Sequence, residues 1–249
     1  MNGSTMFVVA DKGLDCKGYH DPGGSVTWEN CTLRDWLNND FYGTAFSSGE
    51  QGAIVSQTVV NEDNPVYNTE GGNNTADKVY LLSLSEVMNP DYGFCEGYDI
   101  CSVSRMVKAS DYAHARGAWA ETGTDYADYA DYAGNCFWWL RSPGYDTSCA
   151  ADVTTFGSVY RSGYDVNDDY VACVPVLYIN LSSGRWSMAD DGTSGEGGRT
   201  CSYRRRNAAK KSLRITKTHP PTVKRSERNW RKQSLTGKRR LMRQRTRTE

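Results

Sequence analysis

Apolar residues recur along residues 1–181 in short runs that polar and glycine-containing segments interrupt. Aliphatic, aromatic and β-branched residues dominate these runs, which is typical of strands. Six runs predict strands: residues 6–10, 55–60, 78–83, 151–154, 158–160 and 171–179. Gly157 and Gly163 separate the later strands, and residues 61–77 predict a long loop because they are rich in Asn, Gly, Asp and Thr.

Helical spacing is confined to short stretches. One helix is predicted after Asn30 as its N-cap, because four apolar residues share one helical face. These residues are Leu33, Trp36, Leu37 and Phe41. A capping box at Ser83 and Glu86 starts a brief helical turn, and a further helix is predicted from Ser110 to Gly117.

Residues 136–144 read Cys-Phe-Trp-Trp-Leu-Arg-Ser-Pro-Gly. The run predicts a buried strand that enters a turn, because proline lacks an amide hydrogen and glycine permits positive φ. Trp138, Trp139 and Leu140 are therefore assigned to the core. The Tyr-Ala-Asp repeat at residues 125–133 has a period of three and predicts a loop. Together these elements predict an α+β domain with short helices, an antiparallel sheet and long loops.

Charge divides the chain into two regions. Residues 1–181 hold 9 Lys and Arg against 25 Asp and Glu, whereas residues 182–249 hold 20 against 5. The first region is long enough for one domain, but the second has too few apolar residues and predicts a disordered basic tail. Binding of nucleic acid or of an anionic surface is open only for this tail, around residues 204–206 and 238–240. A solvated appendage, an arm folded back on the acidic region, and sequence outside the native gene frame are the alternatives.

Eight cysteines lack the paired C-x-x-C spacing of a structural zinc site. Most are expected to be reduced, although Cys95 and Cys101 could close a small loop. No apolar stretch approaches the roughly 20 residues that span a bilayer, and no signal peptide is recognised. Because a strand is predicted almost at the start, an upstream strand or export signal is an open possibility, and the location stays unassigned.

Ordered motifs along residues 7–181 carry a resemblance to a known family. They include Thr27-Trp28, Leu-Arg-Asp-Trp-Leu-Asn at residues 33–38, Trp-Trp-Leu-Arg-Ser-Pro-Gly at residues 138–144, and Pro175. The series resembles a family of bacterial domains of unknown function, common in gut Firmicutes. That family is similar in architecture to C-type lectins and formylglycine-generating-enzyme-like proteins. The resemblance implies a C-type-lectin-like fold and no settled activity.

This chain departs from the family at Ala172-Cys173-Val174-Pro175, where the family usually has Gly-Val-Arg-Pro. It also lacks the Glu-Pro-Asn and Trp-Asn-Asp segments with which C-type lectins hold calcium. Residues 165–170 alternate oxygen donors as a calcium loop does, but Tyr170 replaces the glycine and Val176 the final glutamate. No metal site is therefore predicted.

Signatures of enzymes are missing as well. The sequence contains no nucleophile elbow, H-E-x-x-H, phosphate loop or dinucleotide fingerprint, so no catalytic residue and no cofactor is predicted. An enzyme on a formylglycine-generating-enzyme-like scaffold is the alternative. It would require a deep pocket that holds Cys149 or Cys173 beside His114.

A binding surface is the leading hypothesis. Residues 145–170 combine Tyr, Ser, Asn and Asp with glycine, and tyrosine offers a large contact area at a low entropic cost. In lectin-like proteins that are diversified by retroelements, the variable ligand contacts lie in this region. The candidate contacts are Tyr145, Asp146, Ser148, Tyr160, Ser162, Tyr164, Asn167, Asp168 and Tyr170. We expect them to recognise a protein or a glycan, and the alternative is that these loops only keep the domain soluble.

Overall fold

The computed structural model describes residues 5–99, 101–123 and 131–183. Short helices and mostly antiparallel strands confirm the α+β class. The strands are β1 (Thr5–Val9), β2 (Lys12–Gly13), β3 (Asp15–Cys16), β4 (Ile54–Val55), β5 (Gln57–Val59), β6 (Thr75–Asp77), β7 (Lys108–Ala109), β8 (Trp138–Pro143), β9 (Cys149–Val153), β10 (Val159–Asp165), β11 (Ala172–Cys173) and β12 (Val176–Asn180). The α-helices are α1 (Thr32–Trp36), α2 (Tyr42–Ala45), α3 (Ser48–Gln51) and α4 (Asp111–Arg116).

The described strands form two sheets of three or more strands, together with the two-stranded pairs β2-β7 and β5-β6. The larger has the strand order β10-β9-β8-β11-β3, in which only the β11–β8 pair is parallel. The smaller has the order β1-β12-β4 and is antiparallel, with Phe7 opposite Tyr178. The predicted basic tail lies outside the described residues apart from its first two positions, and so does most of the Tyr-Ala-Asp repeat.

The tryptophan-containing strand β8 is the centre of the core, as the sequence predicts. Every residue of β8 is buried, and Trp138 and Trp139 are 1% and 0% exposed. Their indole nitrogens donate to the carbonyl oxygens of Arg105 (3.1 Å) and Lys17 (2.9 Å). These two bulky core side chains are thus also satisfied as hydrogen-bond donors.

The first helix forms, but its start and its regularity differ from the prediction. The N-cap is Cys31 rather than Asn30, and its sulfur accepts from the Arg34 amide. After α1, residues Leu37–Phe41 form a π-helical turn before α2 begins. Leu33, Leu37 and Phe41 are nevertheless buried, so the predicted apolar face is confirmed.

The strand predicted at residues 78–83 is wrong, because only Tyr80 makes a bridge, opposite Val176. The segment is buried, and side chains bond its backbone in place of a second strand. The Asn38 amide oxygen accepts from the amides of Lys78 and Val79, and Arg141 donates to the Leu81 carbonyl oxygen. A buried apolar run therefore satisfies its peptide groups here without a sheet ladder.

The caps predicted at Ser83 and Ser110 are confirmed, unlike the one predicted at Asn30. The Ser83 amide donates to the Glu86 carboxylate and the Ser83 hydroxyl accepts from the Glu86 amide, before a 3₁₀ turn at Glu86–Met88. Ser110 caps α4, which ends at Gly117 with φ 115°. All seven described cysteines are free, so Cys95 and Cys101 are not joined. Within the described residues, no helix has the length and apolar character needed to cross a membrane.

Candidate functional site

The structure distributes the nine predicted contact residues over several environments. Four are exposed: Tyr145, Asp146, Tyr160 and Asn167. Four are half-buried: Ser148, Ser162, Tyr164 and Tyr170. Asp168 is buried, at 8% exposure, which contradicts its placement on an open surface. The predicted residues therefore do not form one uniformly accessible face.

The most accessible aromatic group is a pair that sequence reasoning only half identified. Tyr145 is 63% exposed, and its ring meets that of Tyr67 edge-to-face at 5.4 Å. Tyr67 and its neighbour Val66 are also exposed, at 39% and 42%. Both belong to the predicted loop at residues 61–77, whose polar composition gave no sign that it would reach Tyr145.

Asn64 and Thr69 attach this loop to the main chain before Tyr145. The Asn64 side-chain amide donates to the carbonyl oxygens of Pro143 (2.9 Å), Gly144 (3.1 Å) and Arg161 (2.9 Å). The Thr69 hydroxyl lies 3.0 Å from the Gly144 carbonyl oxygen and 2.8 Å from that of Tyr145. Asn64 is fully buried, so water does not compete for these bonds.

Glycines allow the same backbone segments to approach closely. A Cβ atom at Gly144 would overlap the Ser162 carbonyl oxygen. Gly163 has φ 72°, and a Cβ atom there would overlap the Ala150 carbonyl oxygen. The Tyr145 amide also donates to the Ser162 carbonyl oxygen at 2.7 Å. The backbone that carries Tyr145 is therefore held from several directions.

We define the Tyr67–Tyr145 patch as exposed apolar side chains with acidic residues beside them in the chain. The apolar members are Val66, Tyr67 and Tyr145, and the acidic members are Asp63, Glu70 and Asp146. All six residues are exposed. An apolar centre with a polar rim is the usual anatomy of a protein interface.

Tyr160, Tyr164 and Tyr170 form a second group that packs inward. The ring of Tyr164 lies 5.5 Å from those of Tyr160 and Phe137, and 5.9 Å from that of Tyr170. Tyr164 and Tyr170 both pack against the core. Of this group, Tyr160 has the most exposed side chain, at 44%.

Asp168 is buried because it faces this aromatic group. Its carboxylate accepts from the Tyr170 hydroxyl at 3.1 Å. Asp152 of β9 lies close by with 0% exposure, and neither of its carboxylate oxygens has a hydrogen-bond partner among the described residues. Burial, followed by the neighbouring Asp168 charge, raises the pKa of Asp152 well above its usual value. Asp152 is thus an internal acid that sequence reasoning missed.

No metal site emerges from the part of the chain that the structure describes, and the two cysteines considered for catalysis, Cys149 and Cys173, are not activated. No three His, Cys, Asp or Glu side chains there are arranged to hold a metal ion. Burial raises the pKa of the Cys149 thiol to about 11 and raises that of Cys173 well above its usual value. These thiols are therefore protonated at neutral pH and resemble small apolar groups more than nucleophiles.

A cavity of about 240 Å³ opens elsewhere, beside β5 and β12. Arg141 of β8 lies in its wall together with three tyrosines, Tyr80, Tyr92 and Tyr178. The sequence offered no signal for it, because its walls come from segments that are distant along the chain. Neither Cys149, Cys173 nor His114 lines this cavity.

One comparison with known proteins is informative. The family described as "Domain of unknown function (DUF6273)" matches residues 3–177. No curated protein and no solved structure matches the chain.

Proposed function

The chain belongs to the DUF6273 family, and from that premise we propose that it is a non-enzymatic, C-type-lectin-like module that binds a basic protein surface through the Tyr67–Tyr145 patch. The lectin-like assignment is supported by the ordered motifs and by an α+β layout with long loops. Within the predicted contacts, the proposal gives the leading role to Tyr145 and Asp146.

The observation that carries the proposal is the exposed tyrosine pair on a fixed backbone. An aromatic ring that is 63% exposed leaves a large apolar area in water, and covering that area by a partner is favourable. Because Asn64 and the close glycine contacts already order the supporting loops, binding requires little further ordering of the backbone.

Charge selects the class of partner. Residues 1–181 carry 16 more acidic than basic side chains, and Asp63, Glu70 and Asp146 accompany the patch. A partner with Lys and Arg around an apolar spot would complement both features and would be steered towards the patch. Tyrosine is also frequent in protein-binding loops. A protein is therefore favoured over a glycan.

The test compares the full-length chain with its Tyr145→Ala and Val103→Ala variants. Val103 is 76% exposed and lies outside the patch, so it is the matched control. Proteins of the source organism that the wild type captures are purified, and their affinities are measured by calorimetry at two salt concentrations. We expect Tyr145→Ala to weaken binding by about 30-fold or more, as at an interface hot spot, and added salt to weaken it further.

Unchanged affinity in Tyr145→Ala would refute the proposal, as would an equal loss in Val103→Ala. A glycan array with the same variants addresses the other ligand class. Glycan binding that disappears in Tyr145→Ala would assign the patch to a glycan and overturn the choice of a protein partner. If related chains vary at Tyr145 and Asp146 while keeping Asn64 and Gly144, diversification of this patch by a retroelement would gain support.

A further inference from the structure

The cavity beside β5 and β12 has features of a second binding site, independent of the Tyr67–Tyr145 patch. Its polar wall includes Gln57, Glu62, Tyr80, Glu86, Tyr92 and Tyr178. At about 240 Å³ it is smaller than the 300–1,000 Å³ typical of pockets for drug-sized ligands. Its size therefore suits one small molecule or one unit of a larger polymer.

Arg141 supplies a buried cation to the wall. Its side chain is 3% exposed and forms an ion pair with Glu86. The guanidinium also donates to the carbonyl oxygens of Leu81 (2.8 Å) and Val60 (3.0 Å), whereas Nε has no partner among the described residues. The wall is thus fixed in place by hydrogen bonds from one side chain to two segments of the chain.

The rings of the three tyrosines in the wall already have aromatic or cationic partners. The Tyr92 ring stacks on the Phe7 ring with a distance of 4.6 Å between the ring centroids, and the centroid of the Tyr178 ring lies 5.1 Å from that of Phe7. Arg141 lies over the Tyr80 ring at 5.6 Å. Tyr92 and Tyr178 share a hydrogen bond. Burial raises the pKa values of Tyr80 and Tyr92, so the hydroxyls of these two residues stay protonated.

These features exclude two common kinds of ligand. An organic cation is disfavoured, because each of these rings already has an aromatic or cationic partner. An anion would meet one excess negative charge, because Glu62 and Glu86 outnumber Arg141 among the charged groups of the wall. A ligand that is neutral and rich in hydroxyl groups can both donate to the carboxylates and accept from the tyrosines.

We propose that this cavity binds a single neutral sugar unit through the hydroxyls of Tyr92 and Tyr178 and the carboxylates of Glu62 and Glu86. Glu62 already accepts a hydrogen bond from Ser85 at 2.6 Å, which orients that carboxylate. Glu86 is oriented by Arg141 and by the Ser83 amide. The polar groups are therefore placed before the ligand arrives.

The test titrates the ¹⁵N-labelled full-length chain with methyl glycosides of glucose, galactose and mannose, and with N-acetylglucosamine. Concentrations up to about 50 mM cover the millimolar affinities expected of one sugar unit. We expect at least one saturable titration, with chemical-shift changes at Val60, Ser85 and Tyr178. Tetramethylammonium chloride and sodium sulfate are titrated in parallel to probe the two excluded classes.

Tyr92→Phe and Tyr178→Phe remove one hydroxyl each and keep the rings that pack on Phe7. Each should weaken sugar binding about 2- to 12-fold, as expected for one neutral hydrogen bond. Tyr67→Phe, which changes an exposed tyrosine outside the cavity, should leave the affinity unchanged. The proposal fails if no glycoside saturates, if tetramethylammonium or sulfate binds instead, or if the cavity variants bind like the wild type. Tyr145→Ala leaves this cavity intact. Failure of the sugar-binding proposal can therefore be distinguished from failure of the proposed function of the Tyr67–Tyr145 patch.

Discussion

Asp152 makes the stability of this protein depend on pH in a direction that is unusual for a carboxylate. Its pKa is raised in the fold above the value of 3.8 that applies to an exposed aspartate. The folded state therefore keeps a proton that the unfolded chain releases above about pH 4. The contribution of Asp152 to stability is greatest below the unfolded pKa and is lost as the pH rises towards the raised folded pKa.

The size of the effect follows from linkage. Each pH unit between the two pKa values costs about 1.4 kcal/mol of unfolding free energy, so at pH 7 the loss from one carboxyl group is at most about 4 kcal/mol. Asp152→Asn preserves the shape and cannot ionise. The variant should match the wild type near about pH 4 and gain stability relative to it as the pH rises, by about 1.4 kcal/mol for each pH unit over which Asp152 stays protonated in the fold.

Urea unfolding followed by tryptophan fluorescence measures this difference, since Trp138 and Trp139 are buried. Asp131→Asn is the matched control because Asp131 is exposed. The pH dependence expected for Asp152→Asn should be absent from this variant if it arises from burial of the carboxyl group. If the difference for Asp152→Asn is equally flat across the range, then Asp152 ionises in the fold and the reasoning is refuted.

Two further substitutions probe the scaffold by urea unfolding. Gly163→Ala should lower the free energy of unfolding by more than about 2 kcal/mol, because positive φ and overlap with the Ala150 carbonyl oxygen act together. Gly93→Ala, with φ 84° and open space around the Cβ position, should lower it by about 1–2 kcal/mol. Equal losses in the two variants would refute the effect of the overlap. Asp77→Ala should cost about 3 kcal/mol, because it leaves the Trp28 indole, the Arg34 guanidinium and the Thr75 hydroxyl without their acceptor. Asp35→Ala changes an exposed carboxylate and should lower the free energy of unfolding by less than about 1 kcal/mol. A similar loss in Asp77→Ala and Asp35→Ala would contradict the role of Asp77.

Local signals predicted the elements that depend on local chemistry. The continuous apolar run of β8 was sufficient to predict a buried strand. Ser83 and Ser110 were sufficient to predict the helical turns that follow them, because a cap acts within a few residues. Residues 78–83 have the same apolar character as β8, but Asn38 and Arg141 occupy their backbone groups. No pattern within the segment shows that distant side chains replace a neighbouring strand.

The candidate site was predicted in part for the same reason. Tyr145 follows a buried strand and a glycine, and this local context predicts exposure. Asp168 has equally polar neighbours in sequence, yet the Tyr170 hydroxyl and the nearby Asp152 enclose it. Tyr67 joins Tyr145 only because Asn64 bridges segments about 80 residues apart. Which polar residues face water is thus decided by contacts between segments that are distant in sequence.

The hydrogen bonds that the Asn64 side-chain amide donates end on carbonyl oxygens, which every amino acid possesses. The chemical identity of residue 145 is therefore uncoupled from the attachment of its loop. A combinatorial library at positions 145 and 146 should yield mostly folded members, whereas randomising position 64 should yield mostly unfolded ones. The molecule thus separates the residue that fixes the loop from the residues free to acquire new specificities.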